Sequence, residues 1–179
     1  LFVGRITKHK GIQFLIEAAP SILKEFPTAR FMIVGEDYGY LENLTKMVEK
    51  LGIGNHVIFL SGLSQDEIVQ AYKSADIFVL PSTLEAFGLV VVEAMASGTP
   101  VVASNYGGIR CLVRDGVNGF LFEVENVPDL ASKILVLLRN EELGKAFATK
   151  AVSQAKEQYS IQHTTDELLR VYAKLQDAG

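Results

Sequence analysis

Two groups of side chains in this sequence have the types and spacing to handle a charged, hydroxyl-rich ligand. The first is a pair of carboxylates, Glu85 and Glu93, with seven residues between them that include Phe87-Gly88-Leu89. The apolar run 77–80 before them ends at Pro81, which cannot donate in a sheet interior and turns the chain out of an expected strand. From about Gly88 the pattern becomes helical and runs to Gly98, where Gly98 and Pro100 supply the stop signals. Glu85 therefore precedes a helix start, and Glu93 lies roughly 8 Å along that helix at 1.5 Å per residue. A helix start carries unpaired N–H groups and a partial positive charge that attract anions, while carboxylates accept hydrogen bonds from hydroxyls. A ligand with both phosphates and sugar hydroxyls would use all of this at once. On spacing alone, two solvated carboxylates remain the alternative.

The second group is Arg5, Lys8, His9 and Lys10, a local electropositive spot in a chain of net charge −4. Taken alone, such a group is more often a solvated surface loop than a binding site.

Both groups must be carried by regular elements, and the sequence spells these out. Strands are expected at 1–4, 30–34, 56–60, 77–80, 100–104 and 119–122. Helices are expected at 12–26, 41–51, from Ser64 to about 75, from 88 to 98, briefly to 114, and at 129–138, 140–158 and 161–175. Pro20 should kink or interrupt the first helix by removing a backbone donor. Ser64 and Glu67 have capping-box spacing, and Asn140 can cap the helix that follows it. Strands alternating with helices predict a Rossmann-like, doubly wound parallel sheet of about six strands, covered on both faces. In such a sheet ligands bind beyond the carboxyl ends of the strands. The loops 5–10, 35–40, 61–64, 85–89 and 105–108 all fall there, so the candidate residues converge on one rim.

Composition narrows the classes. A chain of 179 residues, 49% hydrophobic and 21% charged, is long enough for one domain with a substantial core. Its acidic balance gives no reason to expect nucleic acid or an anionic membrane as a general partner. The single cysteine, Cys111, excludes an intrachain disulfide and a cysteine-based zinc cluster, fits a reducing compartment, and reads as a small buried or half-buried residue. His9, His56 and His163 show no metal-ligand spacing. No apolar run approaches a spanning helix and no signal peptide is visible, which predicts a cytoplasmic protein. The chain opens at Leu1 within an expected strand, so a piece of a longer protein is expected.

Several segments together resemble the C-terminal, donor-binding domain of retaining GT-B glycosyltransferases of family 4, or group 1. The family's Glu-x-Phe-Gly-Leu stands here as Glu85-Ala86-Phe87-Gly88-Leu89. Its Glu-Ala-Met-Ala-x-Gly-x-Pro-Val-Val stands as the run from Glu93 through Pro100 to Val102. Val3-Gly4-Arg5-Ile6 with Lys10-Gly11 is similar to the family's phosphate-binding loop. Ser74-Ala75-Asp76, Gly107-Gly108, the segment from Asp115 to Phe120 and Tyr159-Ser160-Ile161 also fit, so the resemblance covers nearly the whole chain.

The resemblance implies one half of a GT-B fold, residues 1–179, working with an N-terminal acceptor domain outside this sequence. The implied donor is a UDP-, GDP- or ADP-sugar, with no separate cofactor and no metal. The implied activity is transfer of a hexosyl group to a sugar or lipid-linked acceptor, with peripheral membrane attachment compatible and the fragment alone inactive. Arg5 and Lys10 would grip the diphosphate and stabilise it as it departs. Glu93 would take the ribose hydroxyls and Glu85 the transferred sugar. The N–H groups of Phe87, Gly88 and Leu89 would meet sugar or phosphate, and the base would lie near Leu63 to Gln65.

Two departures stand out. Ile109-Arg110-Cys111 replaces the family's x-Pro-Glu after the paired glycines, which puts that carboxylate's contact in doubt and opens a role for Arg110 toward an anion. Ala86 replaces the commoner Gly. The rival readings are a nucleotide-sugar epimerase of the same fold and a degenerate domain kept for partner binding. A nicotinamide dehydrogenase is weaker, because no Gly-x-Gly-x-x-Gly follows a strand.

Overall fold

The computed structural model describes residues 1–176. Six short strands alternate with helices: β1 (Phe2–Val3), α1 (Ile12–Glu25), β2 (Phe31–Val34), α2 (Leu41–Lys50), β3 (Val57–Leu60), α3 (Gln65–Ser74), β4 (Phe78–Leu80), α4 (Leu89–Ala96), β5 (Val101–Ser104), α5 (Ile109–Leu112) and β6 (Phe120–Phe122). Three helices close the chain: α6 (Val127–Arg139), α7 (Glu141–Tyr159) and α8 (Ile161–Gln176).

All strand pairings are parallel, and they fall into two ladders, β1-β2-β3 and β4-β5-β6. Leu1 joins them. Its N–H donates to Ile77 O at 2.9 Å and its carbonyl accepts from Val79 N at 2.8 Å. The strands therefore lie in the order 3-2-1-4-5-6, the doubly wound arrangement in which the order of strand addition reverses between β1 and β4 while all strands stay parallel. In sheets of this order ligands bind beyond the carboxyl ends of the strands, where that reversal occurs.

The strands read as continuous apolar runs because helices cover both faces. Every residue of β4 and β5 is buried. In α1 the buried residues Ile12, Leu15, Ile16, Ala19 and Ile22 recur at helical spacing, and this face packs against α6. The short α4 is apolar almost all round because it is wedged between the sheet and α7, with Val91, Ala94 and Met95 buried. Glu93 is its one charged residue, and it lies on the exposed side.

Most element boundaries fall within two residues of the sequence reading. The expected interruption at Pro20 does not occur, and α1 runs through it unbroken. Pro20 is exposed, so its ring projects into solvent, while the opposite face of α1 packs against α6 and holds the helix across the missing donor. His56 belongs to a single 3₁₀ turn, Gly54–His56, rather than to β3. The loop expected at residues 5–11 likewise contains a 3₁₀ turn at Lys8–Lys10.

Candidate functional site

The loops after β1, β4 and β5 are laced together at the carboxyl rim of the sheet. The Lys8–Lys10 turn ends at Gly11, whose φ of 72° and close approach to Pro81 exclude a side chain: a Cβ there would lie 1.8 Å from Pro81 O. His9 O accepts from Thr83 N at 2.8 Å and from Thr83 Oγ1 at 3.2 Å, fixing the loop after β1 to the loop after β4. Ser104 Oγ donates to Ser82 O at 2.6 Å, which ties in the loop after β5. Gly107 and Gly108 then pack directly under the Glu85 loop. A Cβ on them would lie 2.2 Å from Glu85 O and 2.1 Å from Ala86 O respectively. The paired glycines are thus a seat for the backbone that carries Glu85.

This lacing brings together Lys10 and Glu85, which are 75 residues apart. Lys10 Nζ donates to Glu85 Oε2 at 2.7 Å, with side-chain exposures of 14% and 13%. The pair is largely withdrawn from water, where a charge-assisted hydrogen bond is strong and the loss of one partner is costly. The electropositive spot expected at residues 5–10 is therefore partly neutralised by a carboxylate of the other candidate group. Arg5 is exposed, and its guanidinium lies 5.6 Å from the Tyr38 ring centroid in a cation–π contact. Among the described residues it forms no ion pair.

Beside the pair, α4 starts without a cap. Gly88 holds φ 94° at the N-cap, no side chain accepts from the first turn, and the first turn carries no acidic residue. Among the described residues, the N–H groups of Phe87, Gly88 and Leu89 donate to no protein acceptor. Leu89 is 67% exposed and Phe87 40% exposed, the latter with its ring edge-on to Tyr159 at the end of α7. An anion arriving here meets free donors and the positive end of a helix.

Glu93, one turn further in, makes no hydrogen bond or ion pair with Glu85 or Lys10. It is held instead by Tyr72 of α3, whose hydroxyl donates to Glu93 Oε2 at 2.9 Å. Burial, and then the neighbouring Glu93 charge, push the Tyr72 hydroxyl well above its ordinary pKa, so it remains a donor throughout the working pH range. Leu63 is half-buried against the core. Its loop is pinned by the Gly62 N–H, which donates to Glu36 Oε1 at 2.9 Å.

Tyr72 escaped sequence reasoning, because nothing in the spacing of Tyr72 and Glu93 announces a contact between separate helices. The only clue was a polar-tipped aromatic on the buried side of α3. Asp37 was also missed. Its Oδ1 accepts from Gly39, Tyr40 and Leu41 N–H at 2.9, 2.9 and 3.0 Å, and these bonds, that of Leu41 foremost, hold its carboxyl below the usual range. At the departure from the family pattern, Arg110 donates through Nε and Nη2 to Asn105 O at 3.2 and 2.8 Å, bracing the turn that carries the paired glycines. Cys111, expected buried or half-buried, is exposed, because the short α5 turns its Ile109 and Leu112 inward and leaves 110 and 111 outside.

Fold and rim together define a doubly wound α/β domain with an anion-receptive helix start at the point where the strand order reverses. The chain belongs to the glycosyl transferases group 1 family, whose profile matches residues 1–154. It is 37% identical over 177 residues to the D-inositol 3-phosphate glycosyltransferase of Mycolicibacterium smegmatis, covering 97% of this chain and 39% of that protein. Among solved structures it resembles Anabaena HepE in complex with UDP, with a TM-score of 0.90 and 29% identity over 97% of this chain and 48% of that one. It also resembles the C-terminal domain of a group 1 glycosyl transferase from Francisella tularensis, with a TM-score of 0.82 and 32% identity over 89% of this chain and 85% of that one. The chain thus spans about two fifths of the curated relative and nearly all of the isolated domain.

Proposed function

We propose that this domain binds the nucleoside-diphosphate sugar donor of a glycosyltransferase whose whole chain transfers a hexosyl group to an acceptor. The observation that carries the reading is the juxtaposition at the rim: the Lys10–Glu85 pair beside the uncapped start of α4. A cation and free N–H groups suit a diphosphate, and the carboxylate suits sugar hydroxyls. Uridine is the first base to test, since HepE is described in complex with UDP and with UDP-glucose. GDP- and ADP-sugars follow.

In this reading Lys10 and Arg5 hold the diphosphate, Arg5 with a planar fork and Lys10 with a compact charge. Glu85 orients the sugar, Glu93 takes the ribose hydroxyls, and Phe87, Gly88 and Leu89 offer N–H groups. Leu63 and its loop flank the base. Transfer breaks the bond between the anomeric carbon and the diphosphate oxygen as the acceptor oxygen bonds to that carbon from the same face. The acceptor's proton passes to the departing diphosphate, and Lys10 and Arg5 stabilise the charge that develops there. Glu85 and Glu93 position the donor, so neither serves as the nucleophile of a retaining glycosidase. The acceptor, sugar or lipid-linked, is held with a further domain of the whole protein. Among the described residues no helix is long and apolar enough to cross a membrane. The proposal keeps a cytoplasmic setting, with peripheral attachment where the acceptor is lipid-linked.

Calorimetric titration with nucleoside diphosphates and their sugars tests this. Saturable binding to one base, weakened in Lys10→Ala and Glu93→Gln, is expected. Absence of binding by the full-length protein to every member of the panel would leave a partner-binding domain as the better reading.

A further inference from the structure

We propose that Tyr72 is a positioning residue that sets the nucleotide affinity of the site by locking the carboxylate of Glu93; the proposal rests on the reading that Glu93 faces the ribose. Tyr72 is only 1% exposed, and a buried phenol must find a partner for its hydroxyl. That partner is the carboxylate of Glu93 at 2.9 Å, on another helix and otherwise exposed. The ring itself is firmly placed. Its edge meets Phe78 of β4 with centroids 5.5 Å apart, and Tyr72 O accepts from the buried Thr99 Oγ1 at 2.7 Å.

The consequence falls on Glu93. An exposed glutamate samples many rotamers and must give up that freedom whenever it binds a ligand. The Tyr72 hydroxyl takes Oε2 and fixes the carboxylate in advance, and among the described residues Oε1 keeps its lone pairs for an incoming donor. Because the partner is a neutral hydroxyl rather than a cation, Glu93 keeps its full negative charge and stays an acceptor toward a pair of ribose hydroxyls. A phenylalanine would fill the same buried space and satisfy Phe78 equally well. The hydroxyl therefore adds only its bond to Glu93, and preorganisation of that carboxylate is what it contributes.

The test compares UDP with 2′,3′-dideoxyuridine diphosphate, which lacks both ribose hydroxyls, on the full-length protein and on Tyr72→Phe, Glu93→Gln and Thr99→Val. Tyr72→Phe is expected to weaken UDP about tenfold, the equivalent of ~1.4 kcal/mol, while leaving the dideoxy nucleotide within about twofold. Thr99→Val breaks a bond to the Tyr72 backbone without touching the hydroxyl, and any loss it causes should be the same for both nucleotides. If Tyr72→Phe weakens both nucleotides equally, or neither, while Glu93→Gln still weakens UDP selectively, the positioning role is overturned and the ribose reading stands. If Glu93→Gln also treats the two nucleotides alike, the ribose reading falls and takes this proposal with it.

Discussion

The Lys10–Glu85 pair makes opposite demands on stability and on ligand binding, and this can be measured. At 2.7 Å and an effective dielectric of about 20, the gross attraction is about 6 kcal/mol, against which stands the cost of withdrawing both ions from water. Removing one partner strands the other in a site only 13–14% exposed. The remaining water access keeps the cost near the value for a charged hydrogen bond, so Lys10→Ala should destabilise by ~2–3 kcal/mol. A double-mutant cycle of Lys10→Ala with Glu85→Ala, read by urea unfolding, should give a coupling of ~1–3 kcal/mol. Ligand binding is expected to go the other way for Glu85. In the proposed donor site the diphosphate would need Lys10, and the Glu85 charge would both hold that lysine and repel the phosphates. Glu85→Gln should therefore bind UDP several-fold to ~10-fold more tightly, a gain of up to ~1.4 kcal/mol, while transfer by the full-length protein falls because the sugar loses its orienting carboxylate. A coupling below ~0.5 kcal/mol, or a loss of UDP affinity in Glu85→Gln as large as that in Lys10→Ala, would refute the reasoning.

Three further outcomes follow from single contacts. Glu93→Ala leaves the buried Tyr72 hydroxyl without its acceptor and should cost ~1–3 kcal/mol; adding Tyr72→Phe should restore most of that loss, as followed by thermal melting. Gly108→Ala places a Cβ 2.1 Å from Ala86 O and 2.7 Å from Phe87 Cα, so the Glu85 loop must move. UDP binding should be lost there before the fold is, which circular dichroism alongside calorimetry would separate. Asp37 has its folded pKa depressed by three backbone donors, so its contribution is complete above the unfolded value and disappears as pH falls through the folded one. Asp37→Ala should lower Tm at neutral pH, and the gap to the parent protein should narrow below about pH 4 and close in stronger acid.

How much of this was legible in the sequence depended on whether the cause was local. The strands and helices could be read because each carries its own periodicity and punctuation. The Ser64–Glu67 capping box formed as spaced, with Ser64 N donating to Glu67 Oε2 at 2.7 Å and Glu67 N donating to Ser64 Oγ at 3.4 Å. Asn140 likewise accepts from Leu143 N at 3.0 Å. The gathering of the loops on one rim followed from the parallel topology. What escaped were contacts set by tertiary packing. Lys10 and Glu85 were each picked out, but their pairing depends on Gly11 lying against Pro81 and on Gly107 and Gly108 seating the Glu85 loop. The Tyr72–Glu93 bond depends on how α3 packs beside α4. The interruption expected at Pro20 fails for the same reason. The rule that proline breaks helices is local, and a solvent-facing position with a well-packed opposite face outweighs it.

Hydrogen–deuterium exchange on the full-length protein with and without UDP tests the central claim most directly, because it asks where the nucleotide sits. The free N–H groups at the start of α4 should exchange fast without ligand and slow markedly on saturation. Residues 8–11 should be protected with them, and the amino ends of the strands around Leu1 and Ile77 should be unaffected. Protection confined to those amino ends, or saturable binding with no change across residues 84–92, would contradict a donor site at the carboxyl rim.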